Sequence, residues 1–131
     1  MPEAYAPSTK VDRIRSLGAQ VSLVGDSFED CLWWAKSKAR SGGFRFLHAF
    51  DDPDVIAGQG TVGVELLRQT NQLDAVLIAV GGGGLISGTA AMLKAHRPGI
   101  EVVGCLPIQS PAMFECVRAG QVIDVPTHPT L

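Results

Sequence analysis

An α/β fold built on a parallel sheet with crossover helices is what this sequence predicts, and three observations predict it. Apolar residues at helical spacing alternate with short extended patterns about five times along the chain. The run Ala75–Val80 is apolar at every position, the pattern of a strand covered on both faces. Four consecutive glycines, Gly81 to Gly84, join that run directly to the next helical pattern.

The elements follow in order. Ser8 or Thr9 is expected to cap a first helix through Ser16, with Val11, Ile14 and Leu17 on one side and Gly18 as its stop. Gln20 to Val24 reads as a strand. Asp26 or Ser27 caps a helix from Phe28 to about Arg40, which repeats Leu32, Ala35 and Ala39 at helical spacing and ends at Gly42-Gly43. Phe44 to Leu47 is a short strand. The polar turn Asp51-Asp52-Pro53-Asp54 starts a helix reaching about Gln69, with Val62, Leu66 and Leu67 inward. After the strand at 75–80, a helix runs from Leu85 to His96, stopped by Pro98-Gly99. Glu101 to Cys105 is a strand, Pro111 to Ala119 a helix, and Val122 to Val125 a final strand before the Pro126/Pro129 tail. There is no internal repeat, and the turn at 51–54 is by pattern alone an ordinary loop.

Composition narrows the function classes. The 131 residues are 46% apolar and 18% charged, with a mean hydropathy of +0.19, so the chain collapses rather than staying disordered. A net charge of -2 and one Tyr, two Trp and five Phe give no footing for nucleic acid or anionic lipid. The apolar run at 75–80 is too short to span a bilayer, and Met1–Pro7 lacks the basic and apolar regions of a signal peptide. Cys31, Cys105 and Cys116 form neither a disulfide framework nor a CxxC site, which fits a reduced cytoplasm.

The chemistry lies in the glycines. An ordinary turn needs one or two; four in a row, between a strand and a helix, let successive backbone N–H groups converge on an anion at the helix N-terminus. The carboxyl end of a strand is also where open α/β sheets bind ligands. The anion is not the triphosphate of a P-loop enzyme, because Leu85-Ile86 stand where Lys and Ser or Thr are required. The dinucleotide fingerprint fails as well: Ile86 and Ser87 occupy the third glycine's place, and no acid follows the strand ending at Cys105-Leu106. A single phosphate monoester on an otherwise apolar cofactor fits, and pyridoxal phosphate is such a ligand.

At these residues the sequence resembles a known family. Ala57-Gly58-Gln59-Gly60-Thr61 and the stretch from Leu77 to Gly88, LIAVGGGGLISG, resemble the fold-type II pyridoxal-phosphate enzymes of the serine/threonine dehydratase and serine racemase group. Val11 to Gly18, His48 to Pro53, Val102 to Gly104 and Ser110 to Gly120 agree, so the resemblance covers nearly the whole chain. It implies part of a two-domain, tryptophan synthase β-like fold: residues 1–50 as the later part of a small domain, 51–131 as the central part of a large cofactor domain. It also implies that Gly81, Gly82, Gly83, Gly84 and the amide of Leu85 hold the cofactor phosphate, and only the phosphate.

Departures from the family pattern bear on activity. The family's Schiff-base lysine, its Ser-Gly-Asn-His substrate loop and its C-terminal Ser or Thr at the pyridine nitrogen have no counterpart here. Lys10, Lys36, Lys38 and Lys94 lack the family context, and Lys94 lies roughly 15 Å along its helix from the glycines. Residues 106–112 contain no carboxylate, so no metal site is expected. His48, at a strand end on the cofactor side, is read as a structural or surface residue rather than a catalytic one, His96 as a helix C-terminal cation, and His128 is unassigned. Of Trp33 and Trp34, one is expected in the core and one at the surface. Cys31 and Cys105 read as core residues, whereas Cys116 faces solvent. The resulting expectation is a fragment resembling an L-serine/L-threonine ammonia-lyase, inactive alone, whose full-length relatives take an amino acid substrate, and which self-associates into a homo-oligomer. The alternative is a stand-alone nucleotide- or phosphate-binding module without catalysis.

Overall fold

The computed structural model describes residues 2 and 6–126. Two compact units make up the chain, Met1–Phe46 and Leu47–Leu131.

The first unit is helical. Helix α1 spans Ser8–Ser16 and α2 spans Phe28–Gly42. Neither Ser8 nor Thr9 caps α1; Pro7 takes the cap position, and its carbonyl accepts the Lys10 and Val11 amides at 3.0 and 3.1 Å. Proline's ring holds φ at -60° there, ready for the helix that follows. Val11 is the buried residue of α1. Helix α2 starts in a capping box. Ser27 Oγ accepts the Asp30 amide at 3.1 Å, while Asp30 Oδ2 accepts the Ser27 amide at 3.1 Å. Its end is Gly43 in the left-handed region at φ +68°, as the Gly42-Gly43 pair suggests. Trp33 is exposed and Trp34 half-buried, with Lys38 Nζ 5.7 Å from the Trp34 ring centre.

The second unit carries the sheet. Helix α3 spans Pro53–Gln69, β1 Ala75–Ala79, α4 Gly84–His96, β2 Glu101–Cys105 and α5 Ala112–Ala119. Strands β1 and β2 pair in parallel from Ala75↔Glu101 to Ala79↔Cys105, with α4 as the crossover. The ladder is extended by Val80 N–H to the Cys105 carbonyl at 2.9 Å and Glu101 N–H to the Asp74 carbonyl at 2.8 Å. The fold is therefore α/β on a parallel sheet. Three of the five expected strands, 20–24, 44–47 and 122–125, belong to no ladder among the described residues. A strand is defined by its partner, and apolar runs alone cannot supply one.

Ile78, Val80, Leu93, Ile100 and the polar Thr89 form the core. The expected cover on both faces of β1 is not found: Ile78 is 7% exposed but its neighbour Leu77 70%. Successive side chains point to opposite faces, and only one face has apolar packing. Val62, expected inward, is exposed for the same reason, while Leu66 and Leu67 are half-buried. Cys105, read as a core residue, is exposed; Cys31 and Cys116 are half-buried. Cys116 Sγ instead accepts the Ile123 amide at 3.4 Å.

Helices α3 and α4 pack at close range because small residues line both. A Cβ on Gly60 would come 3.3 Å from the Gly88 carbonyl oxygen, and one on Gly63 3.0 Å from Met92 Cβ. Thr89 Oγ1 donates to the Gln59 carbonyl at 3.4 Å across the same interface. A Cβ on Gly58, in the same helix, would meet nothing within 4 Å.

Candidate functional site

Residues 81–84 turn the chain from the end of β1 into α4. Gly83 occupies the cap position with φ +88°, a left-handed conformation that a side chain would strain. The Ser87 amide bonds the Gly83 carbonyl at 3.0 Å, which closes the first helical turn. A helix has no internal acceptor for the amides ahead of that closure, here those of Gly84, Leu85 and Ile86. They stand at the positive end of α4, where the aligned peptide dipoles amount to about half a unit charge.

These glycines line an open cleft of about 230 Å³ together with Ala49, Phe50, Val55, Gln59, Ala79 and Leu85. Gly81, Gly82, Gly83, Gly84 and Leu85 thus share one wall at the carboxyl end of β1. Their lack of side chains serves two purposes. A Cβ on Gly81 would meet nothing within 4 Å, so that position is open to the cleft. At Gly82 a Cβ would collide with the Phe50 ring, and at Gly84 it would lie 2.9 Å from the Phe50 carbonyl oxygen. Met113 of α5 closes on Gly83, its Cε 3.2 Å from where a Cβ would stand.

Phe50 and Met113 were not among the expected site residues. Bare glycines leave a backbone that other side chains must cover, and an aromatic residue just ahead of the Asp52-Pro53 helix start is the trace that Phe50 leaves in the sequence. His48 holds that segment. Its Nδ1 accepts the Asp51 amide at 2.9 Å and the Phe50 amide at 3.4 Å, and its ring meets Phe50 edge-on, 4.6 Å between centres at 89°. That is the structural role expected of it. Asp52 Oδ1 then accepts the Asp54 amide at 2.9 Å and caps α3.

Among the described residues, no lysine lines the cleft. Lys94 is at the far end of α4, its Nζ donating to the Pro98 carbonyl at 3.3 Å. His96, in the same last turn, has Nδ1 3.1 Å from the Met92 carbonyl oxygen and suits the negative end of the helix. His128 lies outside the described residues. Among the described residues, no three His, Cys, Asp or Glu side chains gather as metal ligands, and no helix is long and apolar enough to cross a membrane.

A short strand, a glycine turn and a helix N-terminus meet at this cleft, and first-turn amides of a helix are groups that can receive an anion. Residues 1–131 match the family described as pyridoxal-phosphate dependent enzyme. The chain is 40% identical over 127 residues to an L-threonine ammonia-lyase of Thermotoga maritima, covering 97% of this chain and 32% of that protein. It is 45% identical over 116 residues to the biosynthetic, chloroplastic threonine dehydratase 1 of Solanum lycopersicum, covering 88% and 19%. Among solved structures, maize serine racemase superposes with a TM-score of 0.86 at 31% identity, over 93% of this chain and 37% of that one. The processed threonine deaminase isoform 2 of Solanum lycopersicum gives 0.83 at 38% identity, over 93% and 33%. The chain thus spans a third or less of the length of these two curated relatives. On the match along its whole length, the chain belongs to the pyridoxal-phosphate-dependent enzymes.

Proposed function

We propose that this chain is the phosphate-gripping portion of an L-serine/L-threonine ammonia-lyase, and that on its own it binds pyridoxal phosphate without turning over an amino acid. One observation carries the reading: Gly81 to Leu85 line a single cleft where β1 hands over to α4. In that reading the amides of Gly81, Gly82, Gly83, Gly84 and Leu85 hold the phosphate oxygens, and the dipole of α4 balances their charge. The bareness of Gly81 lets the oxygens approach the backbone, and Phe50 keeps bulk solvent from one side of the loop. Pyridoxal phosphate, when bound, supplies an electron sink for bond cleavage at the α-carbon of an amino acid.

The residues present fit the phosphate and not the rest of the chemistry. Among the described residues, those lining the cleft include no amine to link the cofactor and no side-chain base. Residues 1–50 correspond in this reading to the later part of a small domain and 51–131 to the central part of a large one. The amino acid substrate belongs to the full-length enzyme, and a cytoplasmic setting suits three cysteines that form no disulfide. Thermal melts test the reading. Inorganic phosphate and pyridoxal phosphate raise the melting temperature, NADP does not, and pyridoxal phosphate with L-threonine yields no 2-ketobutyrate. Stabilisation by NADP alone would instead make this a nucleotide-binding module, and steady 2-ketobutyrate production would show that the catalytic apparatus is present.

A further inference from the structure

We propose that His48 is a positioning residue for the glycine loop: its neutral imidazole locks the turn at 48–51 so that Phe50 braces Gly82 and Gly84 in their anion-binding arrangement. The inference rests on the reading of that loop as the phosphate site. Its grounds are geometric. Nδ1 accepts two amide N–H groups, from Asp51 at 2.9 Å and Phe50 at 3.4 Å, so it carries no proton and the ring hydrogen sits on Nε2. The same ring meets Phe50 at 89° with 4.6 Å between centres, which fixes both the backbone and the side chain of that residue. Phe50 in turn fills the space beside Gly82, and its carbonyl lies 2.9 Å from where a Gly84 Cβ would stand. A line of contacts therefore runs from imidazole to phenyl ring to the loop, all within the unit that begins at Leu47.

His48 is not among the residues lining the cleft, so it acts on binding through the turn it holds, whose Ala49 and Phe50 do line it. Replacing it by alanine removes the acceptor for two amides and the edge contact together. Asparagine restores an acceptor, since its side-chain oxygen bonds amides two residues onward in an Asx turn. One net hydrogen bond corresponds to a roughly three- to tenfold change in an equilibrium constant.

The experiment uses the whole chain, with pyridoxal phosphate as the probe. Affinity is read by titration, hydrogen exchange at the Phe50 and Asp51 amides by NMR, and the His48 tautomer by its ring nitrogen shifts. Expected are an Nε2–H tautomer in the wild-type chain and at least about threefold weaker binding with faster exchange in His48→Ala. His48→Asn is expected to recover most of both. A wild-type chain that fails to bind pyridoxal phosphate, yet loses amide protection in His48→Ala, refutes the phosphate reading and leaves the lock standing. His48→Ala with unchanged affinity and exchange overturns the lock, as does a protonated Nδ1 in the wild-type chain. Loss of affinity in both variants alike, with protection intact in His48→Asn, also overturns it.

Discussion

Gly81 and Gly82 are neighbours with opposite tolerances. A methyl group on Gly81 projects into open space, whereas one on Gly82 collides with the Phe50 ring. Gly82→Ala is therefore expected to lower stability by about 1–3 kcal/mol through overpacking, with Gly81→Ala close to neutral; urea denaturation of the two variants checks the contrast. The four-glycine run was legible as the turn from a strand into a helix because of the patterns that flank it. Which glycine faces the cleft and which faces Phe50 was not legible, since that depends on a residue some thirty positions upstream and on the approach of two chain segments. Asp30 shows the same division. A cap at Asp26 or Ser27 could be read from the sequence, but neither the reciprocal part played by Asp30 nor the concentration of bonds on one of its oxygens. Asp30 Oδ2 accepts from Ser27 Oγ at 2.8 Å and from the Ser27 and Asp26 amides at 3.1 Å each. The hydroxyl bond first, then the two amide bonds, hold its carboxyl below the usual value of 3.8. Its contribution to α2 is thus fully present above pH 3.8 and fades as pH falls below that toward the depressed folded value. An NMR titration should place the Asp30 midpoint below 3.8, and Asp30→Asn should abolish that pH dependence at the start of α2.

Helices α3 and α4 meet through Gly60, Gly63, Gly88 and Thr89, and this contact is what sets the glycine loop against Phe50. Gly88 is the tightest point: a Cβ there would run into the Ile56 carbonyl and stand 2.7 Å from the Gly60 amide nitrogen. Both obstacles are backbone and cannot swing aside, so Gly88→Ala is expected to push the helices apart. A loss of about 1–3 kcal/mol in denaturation and weaker binding of pyridoxal phosphate should accompany it. The helices themselves were legible to within a residue or two, from periodicity, Asp52-Pro53 and Gly42-Gly43. Strands were legible only where partnered. Ala75–Ala79 and Glu101–Cys105 pair with each other, and the apolar segments at 20–24, 44–47 and 122–125 join no ladder among the described residues. Hydrophobic patterning states what a segment can do; the hydrogen-bonding partner decides whether it does so.

Across the whole molecule, apolar surface is exposed in quantity. Trp33, Phe44, Leu77, Ile108 and Val122 are each at least 70% exposed, and Leu77 lies on a sheet face without apolar cover. Single exposed apolar residues are ordinary, but a sheet face is a contiguous surface and favours association. The isolated chain is expected to sediment as a dimer or higher oligomer, and Leu77→Lys should shift it toward monomer; a monodisperse wild-type monomer would contradict this. Composition predicts collapse, but a count of apolar residues does not say which of them find partners.

The order of β1, α4 and β2 has a consequence during synthesis. In a parallel pair joined by a helix, the first strand leaves the ribosome before its mate does. Ala75–Ala79 must wait through the emergence of α4 with its ladder groups toward β2 unmatched, and only the arrival of Glu101–Cys105 completes the pairing. A nascent chain in which β1 and α4 have emerged without β2 thus presents an open strand edge.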